Sequence, residues 1–156
     1  MSQFDEFGKV SMVNVSEKPE TFRTAKAQAV VFLREETLSK ILNGEVKKGD
    51  VLSTAKIAGI MAAKKTHELI PLCHPLNITF VDVKFTVSME SRSVKVEGYV
   101  EMYGKTGAEM EALTSVSVAA LTIYDMCKSI DREITISDVM LLEKSGGKSG
   151  HFVREK

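Results

Sequence analysis

An aspartate and a lysine three residues apart, Asp125 and Lys128, form a pair of side chains that could carry out proton transfer. They stand near the end of residues 104–131, a stretch without proline and, after Gly107, without glycine. Its richness in Ala, Leu, Met and Glu predicts a long helix, on which residues three apart are neighbours. A lysine beside an aspartate in a partly buried pocket can donate and relay protons.

The predicted helix does not divide into one apolar face and one charged face. Glu109 and Glu111 stand in its first turn, where the helix dipole favours anions. At about 100° per residue, a single line along the helix collects both polar and apolar side chains: Met110, Thr114, Ser117, Leu121, Asp125 and Lys128. Such a helix lines a polar site or packs closely on another chain.

A histidine lies in a conformationally restricted segment. Pro71 and Pro75 disfavour the helical conformation for the residue before each, so residues 72–74 are predicted to be extended and stiff. His74 suits a structural hydrogen bond and acid–base chemistry equally well. Its spacing from Cys73 and His67 matches no zinc-binding pattern, and no metal site is expected.

Several lysines occupy loops or helix ends, namely Lys48, Lys64, Lys65, Lys128, Lys144 and Lys148. Most lysines are ordinary solvated surface residues, and only the pairing of Lys128 with Asp125 departs from that interpretation. SGGKSG at 145–150 resembles a phosphate loop, but Leu142 stands where a Walker A motif needs its first glycine. It is interpreted as a flexible flap that could close on an anion. Cys73 has no recognisable base, and Cys127 suits the core.

The predicted elements give an α+β fold. Alternating apolar residues predict strands at 23–34, 81–89, 94–102 and 133–142, the last with an irregularity near Asp138. Helices are predicted at 35–43, 54–66 and 108–131, the last after a flexible turn at 104–107, with Asp50 or Ser53 capping the second. Gly59 inside the second helix predicts close packing there, and Gly98 inside the third strand indicates a bulge or a close backbone approach. With one helix set aside, the order is βαββαβ, a ferredoxin-like plait with an antiparallel four-stranded sheet and helices on one face. We predict an N-terminal arm at 1–20, loose or ordered by a partner, one domain at 21–143, and a flexible tail at 144–156.

Composition excludes several classes of protein. Lys and Arg total 21 and Asp and Glu total 21 in 156 residues, which argues against a nucleic-acid binder with a global basic field. No apolar run approaches the roughly 20 residues of a membrane span, and the N-terminus does not look like a signal peptide. Two cysteines in a chain of this length indicate a reduced, cytoplasmic protein.

Five segments make the chain resemble the cyclic pyranopterin monophosphate synthase family of molybdenum cofactor biosynthesis. They are KGD at 48–50, AGIMAAKKT at 58–66, LIPLCHPL at 69–76, GKTGAEMEALTSVSVAALTIYDMCK at 104–128 and LLEKSGGKSG at 141–150. The resemblance implies a lyase that rearranges (8S)-3',8-cyclo-7,8-dihydroguanosine 5'-triphosphate, made by a radical S-adenosylmethionine enzyme. The implied products are cyclic pyranopterin monophosphate and diphosphate.

The resemblance also implies site residues and an assembly. Asp125 matches the active-site residue, with Lys128 as its partner and Lys48 as a second essential lysine. Implied substrate-binding positions are Leu72, Cys73, His74, Glu109, Met110, Glu111, Arg23, Lys64 and Lys144. The resemblance implies a hexamer, a trimer of dimers with sites between chains. No cofactor is expected to be required, although Mg²⁺ could accompany the substrate phosphates. The competing hypothesis is a non-catalytic, nucleotide-binding ferredoxin-like regulatory module; metal-dependent hydrolysis is a weaker third.

Overall fold

The computed structural model describes residues 5–155 of the chain. Nine elements follow one another: β1 (Thr21–Phe32), α1 (Glu35–Leu42), α2 (Val51–Lys64), α3 (Thr66–Leu69), β2 (Ile78–Ser88), β3 (Ser93–Gly104), α4 (Glu109–Cys127), β4 (Thr135–Ser145) and β5 (Phe152–Val153). The predicted α+β class is confirmed, with one antiparallel sheet and helices packed on it. None of the helices in this described part is both long and apolar enough to cross a membrane.

The sheet has five strands in the order β2-β3-β1-β4-β5, with every neighbouring pair antiparallel. The prediction of four strands is therefore wrong, because the chain turns back after β4 and adds a two-residue strand. Gly146, Gly147 and Gly150 all have positive φ in this turn, a conformation that glycine adopts without steric cost. A Gly/Ser/Lys-rich composition does not reveal such a short edge strand.

Element boundaries differ from the predicted ones by a few residues. Helix α2 begins at Val51, earlier than predicted, since Asp50 accepts the Ser53 N–H at 3.0 Å as its N-cap. Strand β4 runs to Ser145, which pairs with Thr24 of β1, and the hydroxyls of these two residues lie 2.7 Å apart. The last two residues of β4 and all of β5 thus lie within the segment predicted as a tail. The predicted irregularity near Asp138 is confirmed, since φ is 52° there and the β1–β4 register shifts opposite it.

Small residues bring the helices close to the sheet. The inward-facing residues of β1 are Ala25, Ala27, Ala29 and Val31, none more than 1% exposed. A Cβ on Gly98 of β3 would lie 2.9 Å from Val116 Cγ1 of α4, and one on Gly59 of α2 would lie 3.0 Å from the Ser115 carbonyl oxygen. The close packing predicted at Gly59 is confirmed, and of the two alternatives at Gly98 the close approach is the one found. This packing fixes α4 against the sheet and against α2.

Candidate functional site

The C-terminal end of α4 carries a cluster of one carboxylate and two ammonium groups. Lys128 Nζ donates to Asp125 Oδ1 at 2.6 Å across one helical turn. Lys48, from the loop between α1 and α2, donates to Asp125 Oδ2 at 3.1 Å and to the Asp125 backbone carbonyl at 2.9 Å. The three residues that sequence analysis placed at the catalytic centre therefore lie together, and we call them the lysine–aspartate cluster.

The electrostatics of this cluster follow from its hydrogen bonds. Those from Lys128 and then Lys48 hold the pKa of Asp125 below its ordinary value, and the Asp125 carboxylate raises the pKa of Lys128. All three side chains are between 46% and 56% exposed, so a ligand can reach them. The cluster presents a carboxylate between two ammonium groups, an arrangement that can attract an anion and supply a proton.

The N-terminal end of α4 forms one wall of a cavity of about 390 Å³. The cavity is lined by residues of four chain segments: Val13, Val15 and Lys18; Leu72, Cys73, His74 and Leu76; Thr106 and Gly107; and Glu109, Met110 and Glu111. Six of the predicted substrate-binding residues thus surround one space. Its volume falls within the range of small-molecule sites.

His74 is held in this cavity by the N-terminal segment. Its Nε2 lies 2.7 Å from the Val13 carbonyl oxygen. Because a carbonyl oxygen can only accept, Nε2 carries the hydrogen and donates it. In the neutral ring, Nδ1 is then an acceptor, so the same contact that orients the imidazole also sets its tautomer.

Glu111 is a buried carboxyl group in the first turn of α4. It is only 3% exposed, and burial raises its pKa to about 7, assisted by the nearby charge of Glu109 and opposed by its own backbone N–H. The pKa of the Cys73 thiol is also raised, by burial and by Glu111. A carboxyl group that titrates near neutrality can donate or accept a hydrogen bond there, whereas the Cys73 thiol is a weak nucleophile.

Arg23 and Lys144 adjoin the cavity end of the helix. Arg23 Nε donates to the Gly104 carbonyl at 3.1 Å, and its guanidinium packs against Gly147. Lys144 Nζ lies 4.0 Å from Glu109 Oε1 and also donates to the Ser149 hydroxyl. Lys64, at the end of α2, is exposed; among the described residues it forms no ion pair and is not part of the cavity lining.

The contribution of the N-terminal segment was missed by sequence analysis. Val13, Val15 and Lys18 line the cavity, although residues 1–20 were assigned to an arm. The alternation of Val13 and Val15 with Asn14 and Ser16 is a period-two signal of an extended, half-buried segment. That signal is only a few residues long, and nothing in it indicates what the two valines contact.

The two ends of α4 are too far apart to bind one small ligand. Glu109 and Asp125 are sixteen positions apart in one continuous helix. At 1.5 Å per residue the separation is about 24 Å along the axis. Within residues 5–155, no group of three or more His, Cys, Asp or Glu side chains is placed to hold a metal ion.

A lysine–aspartate cluster that can supply a proton and a separate carboxyl-lined cavity on the same helix suit a small α+β protein that acts on an anionic ligand. The MoaC family model matches residues 12–147, and the chain belongs to that family. It is 56% identical over 155 residues to the cyclic pyranopterin monophosphate synthase of Desulfitobacterium hafniense, covering 99% of this chain and 94% of that protein. The cyclic pyranopterin monophosphate synthase of Heliobacterium modesticaldum is 53% identical, and the match covers 100% of this chain and 98% of that protein. The synthase of Thermoanaerobacter pseudethanolicus is 52% identical, and the match covers 99% of this chain and 98% of that protein.

Proposed function

We propose that this protein converts (8S)-3',8-cyclo-7,8-dihydroguanosine 5'-triphosphate into cyclic pyranopterin monophosphate and diphosphate. Identities of 52–56% over at least 99% of the chain to synthases of that name are the observation that carries the proposal. The reaction opens the guanine ring system and recloses it as a pterin. A ribose hydroxyl then attacks the α-phosphorus, and diphosphate leaves. Both parts need proton transfer, and the second needs positive charge beside phosphate.

The lysine–aspartate cluster suits the proton transfers. The Asp125 carboxylate keeps Lys128 protonated, so Lys128 begins the cycle as an ammonium group. Lys48 shares the same carboxylate. A substrate that takes over the hydrogen bonds of Asp125 would leave two ammonium groups free to donate. Lys128 and Lys48 therefore act as proton donors, and Asp125 either orients them or accepts a proton.

The cavity at the other end of α4 holds a different part of the substrate. Glu109 and Glu111 can accept hydrogen bonds from ring N–H groups, while Arg23 and Lys144 provide positive charge beside them. No protein-bound cofactor is part of the proposal, and any Mg²⁺ would arrive on the substrate phosphates. In the order of its first four strands and its helices, the fold is a ferredoxin-like plait carrying extra elements.

The complete site is proposed to form between chains. The cavity and the lysine–aspartate cluster lie at opposite ends of one helix, about 24 Å apart. One substrate can therefore meet both only if the cavity of one chain faces the cluster of a neighbouring copy. The protein would then assemble as a homo-oligomer, a hexamer built as a trimer of dimers. Subunit mixing tests this. Glu111→Ala and Lys128→Ala should each be inactive alone. When equal amounts are unfolded together and refolded, about a quarter of the sites should combine an intact cavity from one chain with an intact lysine–aspartate cluster from another, so about a quarter of wild-type activity should return. No recovery in mixed oligomers would contradict the shared site.

The activity is tested directly with the cyclic triphosphate made by the upstream radical S-adenosylmethionine enzyme. Diphosphate should be released, together with a product that becomes a fluorescent pterin on oxidation. Lys128→Ala and Asp125→Ala should lower kcat by at least about 100-fold, the usual range for a general acid or base. Lys47→Ala is the matched control, because Lys47 is the exposed neighbour of Lys48 in the same loop. Binding without turnover by the wild type would indicate the regulatory-module alternative.

A further inference from the structure

Residues 11–18, which we call the strap, form part of the cavity wall. Their burial alternates: Val13 and Val15 are half-buried, whereas Met12, Asn14 and Ser16 are exposed. This pattern places two apolar side chains against the cavity and leaves the intervening ones in solvent. The strap is thus an irregular segment laid on the site, and it ends in a turn at residues 16–18, where the Lys18 N–H donates to the Val15 carbonyl at 3.0 Å.

Two hydrogen bonds fasten the strap to the loops on either side of the cavity. His74, in the loop after α3, donates to the Val13 carbonyl at 2.7 Å. Lys105, in the loop before α4, donates to the Ser16 carbonyl at 2.8 Å. Both bonds go from side chains of the domain to backbone atoms of the strap. They can break and re-form while the sheet and α4 stay in place, which suits a segment that closes over a ligand.

Lys18 brings to the cavity a positive charge that has no carboxylate partner within the described part of the chain. It is the one Lys or Arg among the described residues lining this space, which Glu109 and Glu111 also line. None of the ion pairs among residues 5–155 includes Lys18. Lys18 is half-buried, whereas Lys9 in the same arm is exposed. An ordinary surface lysine would extend into solvent, as Lys9 does.

We propose that Lys18 is a substrate-binding residue, whose ammonium group pairs with a phosphate oxygen of the ligand as the strap closes over the cavity. The inference rests on the proposed function, which supplies a nucleotide triphosphate as the ligand. An ammonium group at a half-buried position is less screened by water than one at the surface, so its hydrogen bond to phosphate is stronger. Closure by Val13 and Val15 also excludes water from that contact.

Steady-state kinetics with the cyclic triphosphate test the role of Lys18. Lys18→Met keeps most of the length of the side chain and removes its charge. We expect KM to rise about tenfold, which corresponds to the loss of one charge-assisted hydrogen bond, and kcat to stay within about twofold of wild type. Lys18→Arg should restore most of the affinity. Lys9→Met, which removes a charge from the same arm outside the cavity, should leave KM unchanged. A rise of less than about threefold for Lys18→Met, or an equal rise for Lys9→Met, overturns the proposal.

Hydrogen–deuterium exchange separates failure of the strap from failure of the proposed function. The cyclic triphosphate should slow amide exchange in residues 11–18 of the wild type, and should do so much less in Lys18→Met at the same concentration. Absence of turnover together with this protection would refute the proposed function and leave the strap supported. Turnover without any protection of residues 11–18 would refute the strap and leave the function standing.

Discussion

Ionisation of Glu111 should make the stability of the protein fall as pH rises towards neutrality. Its carboxyl group is only 3% exposed, and burial raises its pKa from 4.5 to about 7. Between these two values the unfolded chain has released the proton and the folded chain has kept it. The folded state binds more protons there, so the free energy of unfolding decreases by about 1.4 kcal/mol per pH unit. Over the whole window the decrease is about 3 kcal/mol, and above pH 7 the contribution is constant.

Glu111→Gln isolates this effect because the amide has nearly the same shape and does not titrate. Urea unfolding at constant protein concentration should show the variant gaining about 3 kcal/mol on the wild type between pH 4.5 and pH 8. Glu36→Gln, at a position where the side chain is 75% exposed, controls for the loss of one surface carboxylate. The explanation is wrong if the difference between Glu111→Gln and wild type is the same at both pH values, or if carboxyl NMR gives Glu111 a pKa below 5.

Three further predictions concern the cluster, the packing and the thiols. Asp125→Asn should lower kcat by at least about 100-fold, measured as turnover. It should also lower the pKa of Lys128, measured by NMR of the ammonium group, and an unchanged pKa would contradict the pairing. Gly98→Ala should destabilise the protein by about 1–3 kcal/mol in urea unfolding because its Cβ would lie 2.9 Å from a side chain of α4, and unchanged stability would contradict that packing. At pH 8 a disulfide reagent should modify only Cys73 in the native protein, since Cys127 is 0% exposed and burial raises its pKa to about 11; two reactive thiols before unfolding would refute this.

Elements with a strong period were predictable from the sequence. The alternation in β2 and β3 and the uninterrupted composition of α4 gave these elements to within a few residues. Gly59 and Gly98 were recognised as contact points because a glycine inside a regular element suggests close approach. Strand β5 could not be found in this way, since two residues have no period and their pairing depends on a turn of three positive-φ glycines.

The contacts between distant segments were not predictable. Lys48 and Asp125 are 77 residues apart, and no local pattern says that a loop lysine will reach the end of α4. Resemblance alone placed them in one site, and the hydrogen bonds now supply the physical link. Asp131 shows the same difficulty. An aspartate just after the end of α4 would be taken for a surface charge from the sequence. In the structure, Asp131 is only 1% exposed, and its carboxylate accepts hydrogen bonds from the Arg34 backbone N–H and the Thr37 hydroxyl.

The two ends of α4 hold their carboxyl groups in opposite protonation regimes. Asp125 lies in solvent between two ammonium groups and stays ionised, whereas burial brings the pKa of Glu111 to about 7. Two carboxyl groups whose pKa values are driven apart can serve different roles in one reaction, one as a carboxylate that is ionised at rest and the other as a titrating acid. If neighbouring chains bring these ends together, the assembled site holds both kinds of carboxyl group, which a single chain keeps about 24 Å apart. Assembly would then create the acid–base pairing as well as the binding surface.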